Sequence, residues 1–113
     1  MPTNAFALQK QPSVPEGFQL SGIHCGIKSN PEKEDLTIIL SDRTATACGV
    51  YTENLVRAAP VTLDQARTPN RDTRAVVINS GNANACTGER GLNDAKQMCQ
   101  LLAESCGLAA EQV

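Results

Sequence analysis

The densest set of side chains able to do chemistry lies in one run, Asn79-Ser80-Gly81-Asn82-Ala83-Asn84-Ala85-Cys86-Thr87-Gly88. Amides and hydroxyls there can both donate and accept hydrogen bonds, and the small residues between them tolerate tight turns. The run follows the apolar stretch Ala75-Val76-Val77-Ile78 and precedes a helical pattern. A loop from a strand end to a helix start aims backbone N–H groups at an open edge, which suits an anion, a carboxylate or an oxyanion. The same composition equally serves a loop that satisfies only its own backbone. Both readings stand at the level of sequence, and the candidates are Asn79, Ser80, Gly81, Asn82, Asn84, Thr87 and Gly88.

Other chemistries find less support. The glycines Gly81, Gly88 and Gly91 form neither a phosphate-binding P-loop nor a dinucleotide fingerprint. Ser80 is not in a G-x-S-x-G elbow, and His24 is the only imidazole that could serve as its base. His24 and Cys25 are adjacent, and neighbours on a strand point to opposite faces, so they are not expected to form a base and nucleophile. The five cysteines, Cys25, Cys48, Cys86, Cys99 and Cys106, show no C-x-x-C spacing and no paired zinc-ligand groups. Their odd number and irregular spacing suggest reduced, buried thiols. Glu32, Glu34 and Asp35 read as a solvated turn, and Glu104 and Glu111 as exposed. No catalytic, cofactor-binding or metal-ligating residue is assigned.

The positioning elements follow from period and punctuation. Prolines at 2, 12 and 15 make residues 1–17 an extended lead-in. Phe18 to Ile27 alternates bulky and small residues, as a strand does, and Asn30-Pro31 marks a turn. Leu36 to Leu40 reads as a buried strand that Ser41-Asp42-Arg43 breaks, with Ala45 to Tyr51 as a possible partner strand. Pro60 to Leu63 reads as extended, with at most one helical turn to Arg67. Ala75 to Ile78 is the clearest buried strand. From Gly91, Leu92, Ala95, Cys99, Leu102 and Cys106 recur every three or four residues, marking one apolar helix face that Gly107 closes. Leu108 to Val113 suggests an approach to another strand. Together these predict an α/β fold with a layered, mixed or largely antiparallel sheet and an incomplete domain that leaves a sheet edge and a helix face uncovered.

Composition narrows the class. With 10 basic and 12 acidic residues the formal charge is −2, which argues against a nucleic-acid partner. The basic cluster Arg67, Arg71 and Arg74, interrupted by Asp72, reads as a solvated loop. No apolar run nears the ~20 residues of a membrane span, and neither a secretion signal nor an Arg-rich transit segment opens the chain, so a cytoplasmic protein without a membrane partner is expected. With only Phe6, Phe18 and Tyr51 as aromatics, the core must be aliphatic.

Three stretches taken in order resemble one family: Gly17-Phe18 through Gly26-Ile27-Lys28; Asp35-Leu36 through Ser41-Asp42-Arg43, with Gly49 to Asn54 and Ala58-Ala59-Pro60-Val61; and Ala75 through Gly88, then Gly91-Leu92 and Asp94-Ala95. They are similar to the front of the α chain of the ornithine acetyltransferases (glutamate N-acetyltransferases). The resemblance implies residues 18–113 as the N-terminal portion of that domain, within a fold related to self-processing aminopeptidases of the N-terminal-nucleophile type. It also implies a role in arginine biosynthesis: a precursor that cuts itself before a threonine, which then carries acetyl from N-acetylornithine to glutamate. The implied partners are the rest of the α chain and a β chain in an α2β2 assembly, with no cofactor and acetyl-CoA as a substrate of bifunctional members. The family's Ser-Thr-Gly oxyanion segment and nucleophilic threonine would follow Val113, and Thr87-Gly88 does not match that segment, so no catalytic residue is carried over. A self-processing aminopeptidase relative and a stand-alone small-anion binding module are the alternatives.

Overall fold

The computed structural model describes residues 13–113. Three strands, β1 (Phe18–Ile23), β2 (Leu36–Ala47) and β3 (Asn70–Asn79), form one sheet in that order. Both pairings are antiparallel, so within the described residues the sheet is antiparallel rather than mixed. Helices α1 (Ala59–Arg67) and α2 (Gly88–Cys106) and a short 3₁₀ turn at Ala110–Gln112 make the second layer. The expected strand approach at the end of the chain is thus a helical turn. The proposed lead-in over residues 1–17 lies mostly outside the described residues.

Ser41-Asp42-Arg43 does not break β2. The strand runs through it as an irregularity: Leu40 pairs with Ala75, yet Ala45 pairs with Thr73, so the extra β2 residues bulge opposite Arg74. Arg74 Nε donates to the Ser41 carbonyl at 3.0 Å across the bulge. Arg71 and Arg74 therefore belong to β3 rather than to a solvated loop, and Arg67 lies in the last turn of α1.

Pro60 was compatible with more than an extended segment. It occupies the first turn of α1, where a missing N–H leaves no helical bond unmade. The helix places Leu63 against Ala95 and Cys99 of α2, and Ala59, Leu92 and Val113 pack around them. Burying Leu63 contributes roughly 1.5–3 kcal/mol. On α2 the periodic residues Ala95, Cys99 and Leu102 are buried as expected, joined by Gly91 and Ala103, while Cys106 is exposed. Gly107 ends α2 with φ 66 and ψ 36, a left-handed cap that an L side chain adopts at a penalty.

The helices cover one sheet face only. Ala75 is buried and Val77 half-buried, whereas Val76 and Ile78, which alternate with them on β3, are exposed along with Phe18 and Leu20 of β1. The pairing Leu20–Ile39–Val76 lines these residues up across the strands as an apolar outer face. β3 is therefore half-buried, not the fully buried strand its composition suggests. Between sheet and helices lies a cavity of about 420 Å³, bordered by Leu63, Ala75, Ala95, Cys99 and Val113. Cys99 is the one buried cysteine; Cys25, Cys48, Cys86 and Cys106 are free and exposed, contrary to the buried thiols expected.

The turn between β1 and β2 is organised by Asp35, only 2% exposed although it was expected to be solvated. Its Oδ1 accepts the Cys25 N–H at 2.7 Å, and its Oδ2 accepts the Lys28 N–H at 2.9 Å. His24 Nδ1 lies 3.1 Å from Oδ2 and 3.1 Å from the Lys33 carbonyl. Both neighbours are acceptors, so Nδ1 carries a proton. β1 ends at Ile23, which frees His24 and Cys25 from strand geometry; they converge on one carboxylate instead of pointing apart.

Burial pushes the Asp35 carboxyl up, but the Cys25 and Lys28 N–H groups, the Cys25 thiol and His24 together outweigh it and hold the group well below the usual carboxylate range. The hydrogen bond to Asp35, then partial loss of water around the thiol and the Asp35 charge, pushes the exposed Cys25 thiol up, away from the thiolate.

Two outcomes follow. Because the folded-state value of Asp35 is depressed, its contribution to stability is present above the unfolded carboxylate value of about 4 and fades as pH falls from there toward the folded value. Asp35→Asn lowers the thermal midpoint by several degrees near neutral pH, and the gap to wild type narrows below about pH 4; a constant gap in thermal scans across pH would contradict the clamp. Separately, Gly107→Ala costs about 1 kcal/mol and Gly107→Asn less, read by denaturant titration, because Asn tolerates the left-handed cap.

Candidate functional site

β3 and α2 place the Asn79–Gly88 loop at the edge where the sheet meets the helix layer, and the loop is largely a closed hydrogen-bonded structure. Asn79 Nδ2 donates to the Asn82 carbonyl at 2.9 Å. Asn84 joins three elements: its carbonyl accepts the Ala59 N–H of α1 at 3.1 Å, its Nδ2 donates to the Gly91 carbonyl of α2 at 2.8 Å, and its Oδ1 accepts the Thr87 hydroxyl. Gly91 is buried beneath this network, and a Cβ there would run into the Thr87 and Asn84 side chains. Sequence alone marks Gly91 as the helix start; the signal for its second role is its spacing, four residues after Thr87 and seven after Asn84.

Ser80 N–H donates to the Asp35 carbonyl at 2.8 Å, tying the loop's first turn to the Asp35 clamp. Gly81, at φ 102, sits over Lys28 and Ile27 so closely that a Cβ would fall 2.8 Å from Lys28 Cγ. Cys86 adopts φ 56, a left-handed conformation uncommon for a residue with a Cβ, and Gly88 follows at φ 64. These turns let the chain reverse between β3 and α2 in few residues.

The sequence-derived candidates thus divide. Asn84, Thr87 and Gly81 serve internal hydrogen bonds and close packing. Asn82 is exposed, and among the described residues its side chain makes no hydrogen bond. Asn79, Asn82, Asn84 and Thr87 border an open groove of about 570 Å³, with Arg90, Asp94 and Met98 of α2 on its other side. Glu89 and Arg90 at the head of α2 are exposed, and Arg90 Nε lies 4.0 Å from Asp94 Oδ2, a pair too solvated to hold either side chain firmly. Ser80 and His24 belong to different networks, joined only through the Asp35 backbone and side chain, so no nucleophile–base pair forms. Among the described residues no group of three or more His, Cys, Asp or Glu side chains is placed to hold a metal ion, and no helix is long and apolar enough to cross a membrane. What the arrangement offers is a polar groove wall of amides and one hydroxyl beside the exposed Arg90 guanidinium. Such a wall can bind and orient a polar ligand but supplies no group to carry out a bond-breaking step.

Asp35 is the structurally important residue outside the sequence-derived candidates. Its sequence signal is position: it is the one acid of the turn directly abutting an apolar strand, Leu36 to Leu40.

Proteins similar to this chain agree with one another in name. The chain is 49% identical over 100 residues to the arginine biosynthesis bifunctional protein ArgJ of Caldanaerobacter subterraneus subsp. tengcongensis, covering 88% of this chain and 24% of that protein. It is 49% identical over 98 residues to the protein of the same name from Geobacter sulfurreducens, covering 87% of this chain and 25% of that one. Among solved structures, the ornithine acetyltransferase of Mycobacterium tuberculosis in complex with ornithine superposes with a TM-score of 0.82 at 35% identity, over 88% of this chain and 54% of that one. The Bacillus halodurans ArgJ protein gives 0.79 at 39% identity, over 87% and 51%. The chain spans about a quarter of the length of the curated relatives it matches. The sequence profile of the ArgJ family matches residues 19–113, and the chain belongs to that family.

Proposed function

We propose that this chain is the N-terminal segment of an acetyltransferase of arginine biosynthesis that moves acetyl from N-acetylornithine to glutamate. The observation that carries the reading is family membership over residues 19–113, supported by the similarity to a mycobacterial ornithine acetyltransferase that binds ornithine. In this reading the protein is translated as one precursor and cuts itself before a threonine beyond residue 113. That threonine attacks the acetyl carbonyl of N-acetylornithine, ornithine leaves, and the acyl-enzyme passes acetyl to the amine of glutamate. The fold relationship to N-terminal-nucleophile aminopeptidases, the α2β2 assembly and a cytoplasmic location belong to the same reading. It assigns no cofactor; acetyl-CoA is the expected second acetyl donor, in keeping with the word bifunctional in the relatives' names.

The role of the present residues is to bind and orient. The Asn79–Gly88 loop forms one wall of the groove, with Asn82 as the side chain free to meet a ligand and Asn84 as the tie that fixes the wall. No residue here exchanges a proton or forms the acyl bond.

Two experiments test this. Full-length polypeptide carrying the segment is assayed for acetyl transfer from N-acetylornithine to glutamate and its chains are weighed by denaturing mass spectrometry. Transfer together with two chains, one starting at threonine, is expected; an uncleaved chain that transfers no acetyl would defeat the reading. In the same protein, Asn82→Ala is expected to lower turnover about tenfold or more with little change in thermal midpoint. Asn84→Ala is expected to lower the midpoint as well, by removing side-chain bonds to α2 and Thr87, each contributing about 1 kcal/mol. Equal turnover in wild type and Asn82→Ala would reduce the loop to a structural turn.

A further inference from the structure

The Asp35 clamp and the Asn79–Gly88 loop are in direct contact through two independent connections. One is the Ser80 N–H donated to the Asp35 carbonyl at 2.8 Å. The other runs through the side chain: the carboxylate fixes the backbone of Cys25 and Lys28, and the Lys28 and Ile27 side chains lie directly beneath Gly81. Lys28 is itself held down, its Nζ donating to the Glu34 carbonyl at 2.8 Å. A charged, fully enclosed carboxylate is a demanding way to close a short turn, because any loss of its donors leaves it unpaired. A neutral turn would close β1 onto β2 without that demand. The carboxylate adds rigidity in a platform on which the loop's first residues rest.

We infer that Asp35 is a positioning residue for the Asn79–Gly88 loop, acting through its own carbonyl and through the Cys25–Lys28 turn. The inference rests on the proposed acetyl transfer only for its activity readout. Asp35 touches no ligand in this assignment; it sets where the groove wall stands, and residues behind a site that fix its geometry typically matter about 10–100-fold when removed. His24 Nδ1, hydrogen-bonded to the Lys33 carbonyl, also lies 3.1 Å from the same carboxylate, so a third residue of the turn packs against Asp35.

The test uses the full-length protein and two readouts. Asp35→Asn is nearly isosteric but replaces one acceptor oxygen with a donor facing N–H groups. Hydrogen–deuterium exchange of Asp35→Asn is expected to show faster exchange at residues 80–88 as well as 25–28, with the paired centre of β2 and β3 around Ile38 and Val77 still protected. At a temperature where circular dichroism matches wild type, kcat for acetyl transfer is expected to fall about tenfold or more, with KM for N-acetylornithine changed less than kcat. Should Asp35→Asn not fold, Lys28→Ala keeps every carboxylate hydrogen bond, since its N–H is main chain, yet removes the methylenes under Gly81; the same loop-confined exchange and kcat loss are expected. Faster exchange limited to residues 25–28, or unchanged kcat in a folded variant, overturns the assignment. If the wild-type protein transfers no acetyl at all, the functional reading fails, and the exchange pattern alone still decides whether Asp35 positions the loop.

Discussion

A single buried carboxylate fixes the path by which the chain passes from β1 to β2. Asp35 sits where β2 begins, and its two oxygens collect donors from the segment that leaves β1. An ionised group can be enclosed only when its lone pairs are filled, and here main-chain N–H groups do most of that work. Main-chain donors constrain the fold more tightly than side chains would, because to satisfy the acid the backbone must take one path. The turn path then determines where Ile27 and Lys28 lie, and with them the floor under the loop that follows β3.

The second organising feature is Asn84, which performs for the helix layer what Asp35 performs for the sheet. Its amide and carbonyl bond to α1, to the first turn of α2 and to Thr87, so the loop that looks flexible by composition is fixed at both ends. The two helices meet through a small aliphatic cluster around Leu63, Ala95 and Cys99, modest for a layer of this size. Polar bonds at the loop therefore carry a larger share of the register between helices and sheet than in a domain with a deep core. A glycine at position 91 is part of the same solution, since only a residue without a Cβ lets the amide network lie flat on α2.

These features bear on function through rigidity. A groove wall made of short amide side chains has little chemistry of its own, and its value to an acyl-transfer reaction would be accurate placement. ArgJ-family proteins of known structure share the fold over the matched region. A clamped turn, a bonded loop and a capped helix make a scaffold suited to hold a substrate against groups supplied elsewhere.

Much of this was legible in the chain itself. The 3.5-residue recurrence of apolar positions on α2 and the left-handed cap at Gly107 follow from local geometry, and the helix obeys them. The Asn-rich run identified both the family and the loop, because its composition is unusual enough to stand without structural help. What depended on tertiary structure was of another kind. Pro60 is compatible with a strand edge or a helix first turn, and the packing of Leu63 against α2 selected the helix. Ser41-Asp42-Arg43 looks like a break, but pairing with β3 on both sides of it carries β2 through as a bulge. Asp35 differs in sequence from the solvated acids at 32 and 34 only in abutting the apolar strand; its burial arises when the end of β1 folds back to present its N–H groups. Periodicity and capping act between near neighbours and can be read along the chain, whereas the environment of a charge is set by residues brought to it from a distance, and only the folded structure decides that.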